Sequence, residues 1–144
     1  MANTDAVSTP RWLLPVGAIA LLWNLLGCFA YLADVTMKPE DIAKLTQAEQ
    51  ALMASRPAWS ISGTAIAVWC GAAGCVGLIL RKRWATWLLI ASLAGVLLQD
   101  LWFLVSGAMS VGGAVPIVLQ GVVLIVSIAL VYLARLASSR GWLR

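Results

Sequence analysis

Histidine is absent from this 144-residue chain, and charged residues make up only 11% of it. A soluble domain carries about a quarter charged residues, so this chain has too little polar surface to cover a water-soluble globule. The three cysteines form no Cys-x-x-Cys pair, and the usual ligand sets for zinc, haem or a thiol–quinone redox centre are therefore missing. No nucleophile–base pair is recognisable either, so we predict a non-enzymatic protein without a cofactor or a metal.

The cysteines, Cys28, Cys70 and Cys75, all fall inside apolar runs. Cysteines in such runs are usually small buried packing residues, and that is the interpretation we adopt. The stretch Leu25–Cys28, "LLGC", also matches a lipoprotein cleavage box. Because the apolar run continues through Leu32, we expect an uncleaved span instead.

What the sequence has in abundance is hydrophobic residues, at 62% of the chain with a mean hydropathy of +0.92. A helix needs about 20 consecutive apolar residues to cross a bilayer. Four such runs are present, at roughly 12–33, 59–80, 85–105 and 115–136. They are continuous rather than alternating, which favours helices over a barrel. We therefore predict one all-α domain over residues 1–144, an integral membrane four-helix bundle.

The net charge of +4 is distributed unevenly along the chain. Seven basic residues flank alternate ends of the spans: Arg11, Arg81, Lys82, Arg83, Arg135, Arg140 and Arg144. The first loop, 35–57, has balanced charges, and the loop between the last two spans is uncharged. By the positive-inside rule both termini are predicted to be cytoplasmic. The basic ends suit anionic lipid head groups rather than nucleic acid, and the predicted partner is the lipid bilayer.

The first loop is the main hydrophilic segment of the chain. Pro39 followed by acidic residues is typical of a helix start, and Thr46 with Glu49 forms a capping-box pattern. We predict short amphipathic helices lying at the outer membrane surface. Their role is open between a spacer and a functional lid.

The second span is rich in small residues. Gly63, Ala67, Gly71 and Cys75 recur at four-residue spacing, with Gly74 beside them. In lipid such a stripe lets two helices approach closely. The pattern does not distinguish a partner helix of the same chain from a second copy or another membrane protein.

Tryptophan is frequent, with eight residues in the chain. Four lie at predicted interfaces, as in an aromatic belt: Trp12, Trp59, Trp84 and Trp142. Three lie deeper, and we expect them to pack or to line a pocket: Trp23, Trp69 and Trp102.

Strongly polar residues interrupt three of the four spans, and with Trp102 they form the candidate substrate site: Asn24, Gln99, Asp100 and Gln120. A rise of about 1.5 Å per residue places all four polar residues in the outer half of the membrane. Charges inside spans are costly and usually face the bundle interior or a wet cavity. One interpretation is a pocket with Asp100 as a cation- or proton-linked group. The other, which we prefer narrowly, is a network that fixes helix packing.

Helical periodicity predicts which of these side chains share a face. In the first span one stripe joins Asn24, Gly27, Cys28, Tyr31 and Asp34, and in the third another joins Ser92, Gly95, Gln99 and Ser106. Asp100 lies about 100° round from Gln99, at the edge of its stripe.

Three blocks of sequence together resemble a known family: "WNLLGCFAYL", "RPAWSISGTAIAVWCGAAGCVGLILRKRWA" and "ARLASSRGWLR". The family consists of small four-span proteobacterial proteins often labelled "sugar transporter". The resemblance implies a bacterial inner-membrane location. The polar residues within the spans and the deep tryptophans favour a transporter or carrier-like component with a polar pocket open to the periplasm, and this is the function that we expect. The alternative is a non-transporting accessory subunit or membrane scaffold, which the small-residue stripe also suits.

Overall fold

The computed structural model describes residues 8–144, and within them every regular element is helical. In chain order the helices are α1 (Leu13–Val35), α2 (Pro39–Ile42), α3 (Gln47–Ala54), α4 (Ala58–Ile79), α5 (Trp84–Ser106) and α6 (Ala114–Ser139). A short 3-10 turn, Ala108–Ser110, lies between α5 and α6. The four longest helices, α1, α4, α5 and α6, are long and apolar enough to cross a membrane. The predicted all-α membrane bundle is confirmed, and the chain is a multi-pass membrane protein.

The predicted boundaries agree with the helices to within a few residues at each end. The largest difference is at α6, which continues to Ser139, three residues past the predicted 136. At the end of α5, Gly107 has a φ of 70°, a left-handed conformation that glycine adopts without the strain of a Cβ.

The loop between α1 and α4 contains the two predicted short helices. The capping box at the start of α3 is present: the Glu49 amide donates to Thr46 Oγ1 at 3.3 Å, and the Thr46 amide donates to the Glu49 carboxylate at 2.9 Å. The Thr46 hydroxyl also donates to this carboxylate at 2.8 Å. The hydrogen bonds that the carboxylate accepts, first from the Thr46 backbone and then from the Thr46 hydroxyl, lower the pKa of the Glu49 carboxyl.

Helix α4 is the centre of the bundle. The helices pack in the order α1–α4–α5–α6, so that α4 has a neighbour on each side. In an apolar stretch of 18 residues within α4, 44% of the residues are buried, whereas 6% are buried in the equivalent stretch of α6. The small-residue stripe accounts for this difference, since a residue without a large side chain lets a neighbouring backbone come close.

The stripe packs within the chain, on two sides of α4. A Cβ added to Gly95 of α5 would lie 2.5 Å from the Gly63 carbonyl oxygen and 2.6 Å from the Ala67 amide nitrogen. A Cβ added to Gly71 would collide with the side chain of Asn24 in α1. The Ser92 hydroxyl of α5 also donates to the Ala67 carbonyl at 2.6 Å. The close-packing prediction is confirmed, and the partners are α5 and α1.

One end of the bundle, which we call the terminal end, holds the start of α1, the turn 80–83 and the C-terminal tail. The main apolar core lies here and runs to the middle of the bundle: Leu13, Ala20, Cys75, Leu78, Ala85, Leu89, Leu130, Ala134, Ala137, Trp142 and Leu143. The Trp12 and Trp142 rings meet edge to face with centroids 5.9 Å apart. The tail is also tied to the turn, because the Arg83 amide donates to the Arg144 carbonyl and the Arg144 amide donates to the Arg81 carbonyl.

The opposite end, which we call the loop end, holds α2, α3 and the 107–113 connection. Here α6 leaves the bundle: all its residues from Ala114 to Ala129 are exposed or half-buried, and its first buried residue is Leu130. Residues of both α1 and α6 belong to the core at the terminal end, and the two helices diverge from there toward the loop end.

Candidate functional site

The divergence of α1 and α6 creates a cavity of about 550 Å³. All four long helices line it, with α4 and α5 as its floor and α1 and α6 as its walls. Its volume lies within the range of about 300–1,000 Å³ that is usual for small-molecule sites. Leu26 of α1 and Leu119 of α6 line the cavity and are also exposed, so it opens between these two helices.

The cavity wall changes in character along the bundle axis. Toward the loop end its lining includes Tyr31, Asp34, Arg56, Gln99 and Gln120. Deeper, toward the terminal end, the wall is largely aliphatic: Leu89, Val123, Val126 and Leu130, with Asn24, Ser92 and Ser127 as the polar exceptions. A polar mouth above an apolar pocket is the arrangement that a molecule with a polar head and an apolar chain requires.

Asn24 lies on the cavity wall, but its amide nitrogen bonds back to α1 and also contacts α4. The Asn24 Nδ2 donates to the Ala20 carbonyl at 2.9 Å and lies 3.5 Å from the Cys75 Sγ. One helix turn further on, the Cys28 thiol donates to the Val68 carbonyl at 3.4 Å. The predicted α1 stripe is therefore correct in its facing. Part of it serves packing, while Tyr31 and Asp34 reach the cavity.

The structure separates the two adjacent polar residues of α5. Gln99 lines the cavity, whereas Asp100 is half-buried beside it and accepts a hydrogen bond from the Gln120 Nε2 of α6 at 2.5 Å. This agrees with the predicted place of Asp100 at the edge of its stripe. Asp100 lies outside the set of cavity-lining residues and contacts the cavity indirectly, because it orients Gln120 and links α6 to α5.

An ion pair at the mouth of the cavity was not anticipated from the sequence. The Arg56 guanidinium donates to the Asp34 carboxylate, and both side chains are partly buried. The pair joins the last turn of α1 to the residue before Pro57, at the start of α4. The signal available in the sequence was Asp34 on the α1 stripe, but only the folded loop brings Arg56 back to it.

The deep tryptophans take three different positions. Trp23 lines the cavity, which is one of the two roles expected for it, packing or lining a pocket. Trp102 is buried with its ring 5.3 Å from that of Phe103, and it lies outside the cavity lining, so it is a packing residue. Trp69 is 49% exposed on the outside of the bundle, and the expectation that it packs or lines a pocket is wrong. Its helix face points away from α1 and α5, which hydropathy alone does not reveal.

Comparisons with protein-family models, with curated proteins and with solved structures found no match to this chain. The resemblance based on the three sequence blocks therefore stays a prediction.

Proposed function

We propose that this protein binds an amphiphilic molecule in the cavity between α1 and α6, and acts as a small carrier-like membrane component. The observation that carries the proposal is the polar-to-apolar change along the cavity wall, from Gln99 and Gln120 to Val126 and Leu130. The cavity is also open between two membrane-spanning helices, so an apolar chain can enter from the side without crossing water.

The polar mouth favours a head group that is neutral and rich in hydrogen-bonding groups. An amide both donates and accepts hydrogen bonds, and Gln99 and Gln120 bring two amides to this level. Asp34 and Arg56 neutralise each other in their ion pair, which leaves little net charge to attract an ion. Hydroxyl or amide groups of a ligand match this wall better than a phosphate or a carboxylate does.

A free sugar is less well matched to this cavity than an amphiphile. Each unpaired hydroxyl costs free energy when it is buried against apolar atoms, and the deeper wall is mainly aliphatic. Tyr31 offers a ring face near the mouth and Trp23 offers another at the middle of α1, so a sugar unit carried on an apolar chain remains within the proposed class.

The proposed location is the bacterial inner membrane, with both termini in the cytoplasm and the mouth of the cavity toward the periplasm. The support is the segregation of charge: seven basic residues lie at the terminal end, while the loop end has balanced charges. Reporter fusions test this orientation. A fusion after Arg144 should behave as cytoplasmic and an insertion near Glu49 as periplasmic.

The test of binding uses two neighbouring valines of α6. Val123 is half-buried and lines the cavity, whereas Val122 faces outward. The full chain and its Val123→Trp and Val122→Trp variants are purified from membranes in the same detergent. Bound small molecules are then extracted and quantified by mass spectrometry.

We expect wild type and Val122→Trp to retain the same amphiphile, and Val123→Trp to retain less than about a tenth of it, because the indole occupies space in the cavity that the ligand needs. Equal retention by the two variants would place the molecule on the outer surface and contradict the proposal. So would a wild-type protein that retains only detergent and bulk lipid in membrane proportions.

A second candidate function, an accessory subunit or scaffold, is favoured by the exposed loop half of α6. This segment is apolar and packs little within the chain, so a partner helix has room to pack there. The small-residue stripe of α4 no longer supports this alternative, because α1 and α5 cover it. Co-purification of a stoichiometric partner that depends on Val122 rather than Val123 would favour the accessory role.

A further inference from the structure

Charge is segregated between the two ends of the described chain. The acidic residues within 8–144 all lie toward the loop end: Asp34, Glu40, Asp41, Glu49 and Asp100. Seven of the ten basic residues lie at the terminal end. The terminal end is therefore strongly positive where it meets the membrane surface, and the Coulomb field there favours an anion.

A second cavity, of about 250 Å³, lies at this positive end. It is bounded by the segment before α1, the first turn of α1 and the end of α4. Two arginines, Arg11 and Arg81, line it together with apolar side chains, among them Leu14 and Ile79. Guanidinium groups bind phosphate oxygens through two parallel hydrogen bonds, while aliphatic side chains offer a surface for an acyl chain.

The backbone at Arg81 is held in a conformation that few side-chain-bearing residues adopt. Its φ of 57° lies in the left-handed region, where a Cβ is unfavourable. Two contacts fix it there: the Arg81 amide donates to the Leu78 carbonyl at 3.1 Å, and its carbonyl accepts from the Arg144 amide at 2.6 Å. The C-terminal tail thus orders the turn that carries Arg81, so part of the ordering that binding requires is already complete.

We propose that this cleft binds one anionic membrane phospholipid, with its phosphate between Arg11 and Arg81 and an acyl chain along Leu14 and Ile79. The site is separate from the cavity between α1 and α6, since the two share no lining residue. The position of the cleft at the ends of two membrane-spanning helices places a bound phosphate at the depth of the head groups.

The experiment compares two double variants that each lose two positive charges at the same end of the bundle. Arg11→Gln/Arg81→Gln changes the cleft, whereas Lys82→Gln/Arg135→Gln changes two basic residues outside its lining. Purified full-length proteins in detergent are titrated with phosphatidylglycerol, phosphatidylcholine or glycerol 3-phosphate. The readouts are the melting temperature and the number of lipids retained in native mass spectrometry.

For wild type we expect one tightly retained phosphatidylglycerol, at least tenfold weaker retention of phosphatidylcholine, and no rise in melting temperature with glycerol 3-phosphate. The cleft variant should bind phosphatidylglycerol at least fivefold more weakly, and the control variant within twofold of wild type. Equal losses in the two variants would mean a diffuse field and overturn the site. Equal binding of the two lipids by wild type, a result that does not depend on any variant folding, would also overturn it. A rise in melting temperature with glycerol 3-phosphate would show that the ligand is a soluble phosphate compound and not a lipid. That result would also overturn the proposal.

Discussion

Helix α4 and the loop half of α6, residues 114–129, are both apolar segments of membrane-spanning helices, yet they pack very differently. In α4, Leu78 is 1% exposed, and small residues from Gly63 to Gly77 bring the helix close to its neighbours. In the loop half of α6, the side chains are exposed or half-buried, and the Asp100–Gln120 hydrogen bond links this segment to α5. The cavity between α1 and α6 lies beside this loosely packed segment.

The difference teaches that in lipid the size of the side chains, more than their hydrophobicity, decides where helices meet. Lipid tails are as apolar as leucine, so no hydrophobic force drives one apolar helix onto another. Glycine and alanine allow van der Waals contact between backbones, and α4 has them at four-residue spacing. The loop half of α6 carries mainly Val, Leu and Ile instead, and this half is the part that separates.

The largest effect should come from adding bulk between α4 and α5. Gly95→Leu forces a side chain into the space occupied by the backbone of Gly63 and Ala67, and we expect a loss of about 3 kcal/mol or more. Thermal unfolding in detergent measures it. Gly71→Leu should behave similarly, because the Asn24 side chain occupies the same space.

The matched control for these variants is Gly121→Leu in the loop half of α6. Gly121 is helical and has open space around its Cβ position, so its replacement should change stability by less than about 0.5 kcal/mol. Gly107 is a poorer control, since its φ of 70° strains any other residue. Similar melting of Gly95→Leu and Gly121→Leu would refute the contrast between the closely packed α4 and the loop half of α6.

Removing bulk should give the next largest effect. Leu78→Ala deletes a fully buried side chain at the terminal end, with an expected loss of about 3 kcal/mol. Leu104→Ala changes a side chain that is 68% exposed near the loop end, and its loss should stay below about 0.5 kcal/mol. Denaturation midpoints of both variants in one detergent measure the two losses, and equal midpoints would contradict the close packing around Leu78.

A smaller effect is expected at the link between α5 and α6. Asp100→Leu removes the acceptor of the Gln120 amide and should cost about 1 kcal/mol, the usual size for a hydrogen bond between membrane helices. Amide hydrogen exchange in the first half of α6 should become faster, while exchange near Ala134 stays unchanged.

Asp100→Asn separates the structural role from a charge-dependent one. The side-chain oxygen of the new asparagine still accepts a hydrogen bond from Gln120. The rates of amide hydrogen exchange and the melting temperature should therefore stay close to those of wild type. Retention of the cavity ligand should also persist if Asp100 only positions Gln120. A variant that folds normally and loses the ligand would show that the carboxylate charge itself is needed.

The smallest effect should be at the start of α3, in the loop between α1 and α4. The hydrogen bonds from Thr46 lower the pKa of Glu49, so they stabilise α3 above the ordinary Glu pKa and are lost as the pH falls through the lowered value. Exchange protection of the first turn of α3 should therefore drop on acidification, after correction for the intrinsic rate. Glu49→Gln should abolish this pH dependence and leave the global melting temperature unchanged, whereas Thr46→Ala keeps the backbone donor and should only reduce the dependence.

Much of the fold could be predicted because the bilayer imposes it. A continuous apolar run of about 20 residues has few alternatives to a spanning helix, and all four runs in this chain became one. The capping box of α3 was predictable for a similar reason, since Thr46 and Glu49 satisfy each other locally. Helical periodicity also placed Tyr31 and Asp34 on one face of α1.

The candidate site was predictable only in part. Asn24, Gln99 and Gln120 do reach the cavity wall, because depth and facing follow from helix geometry. Asp100 and Trp102 do not, because one faces α6 and the other packs beside Phe103. Arg56 was missed, since a loop of more than twenty residues separates it from Asp34 and its path is not encoded in any local pattern.

The sequence by itself determined the number of spans, their ends and the segregation of charge, since each depends on residues close together in the chain. The tertiary structure alone decided that the α4 stripe is covered from within, that α1 and α6 diverge, and that Arg11 and Arg81 share a cleft. The physical reason is that helix order and tilt depend on contacts between residues far apart in sequence. The four helices have similar hydropathy, so their possible arrangements differ little in the apolar surface that they bury. Side-chain size and a few polar contacts therefore determine which arrangement forms.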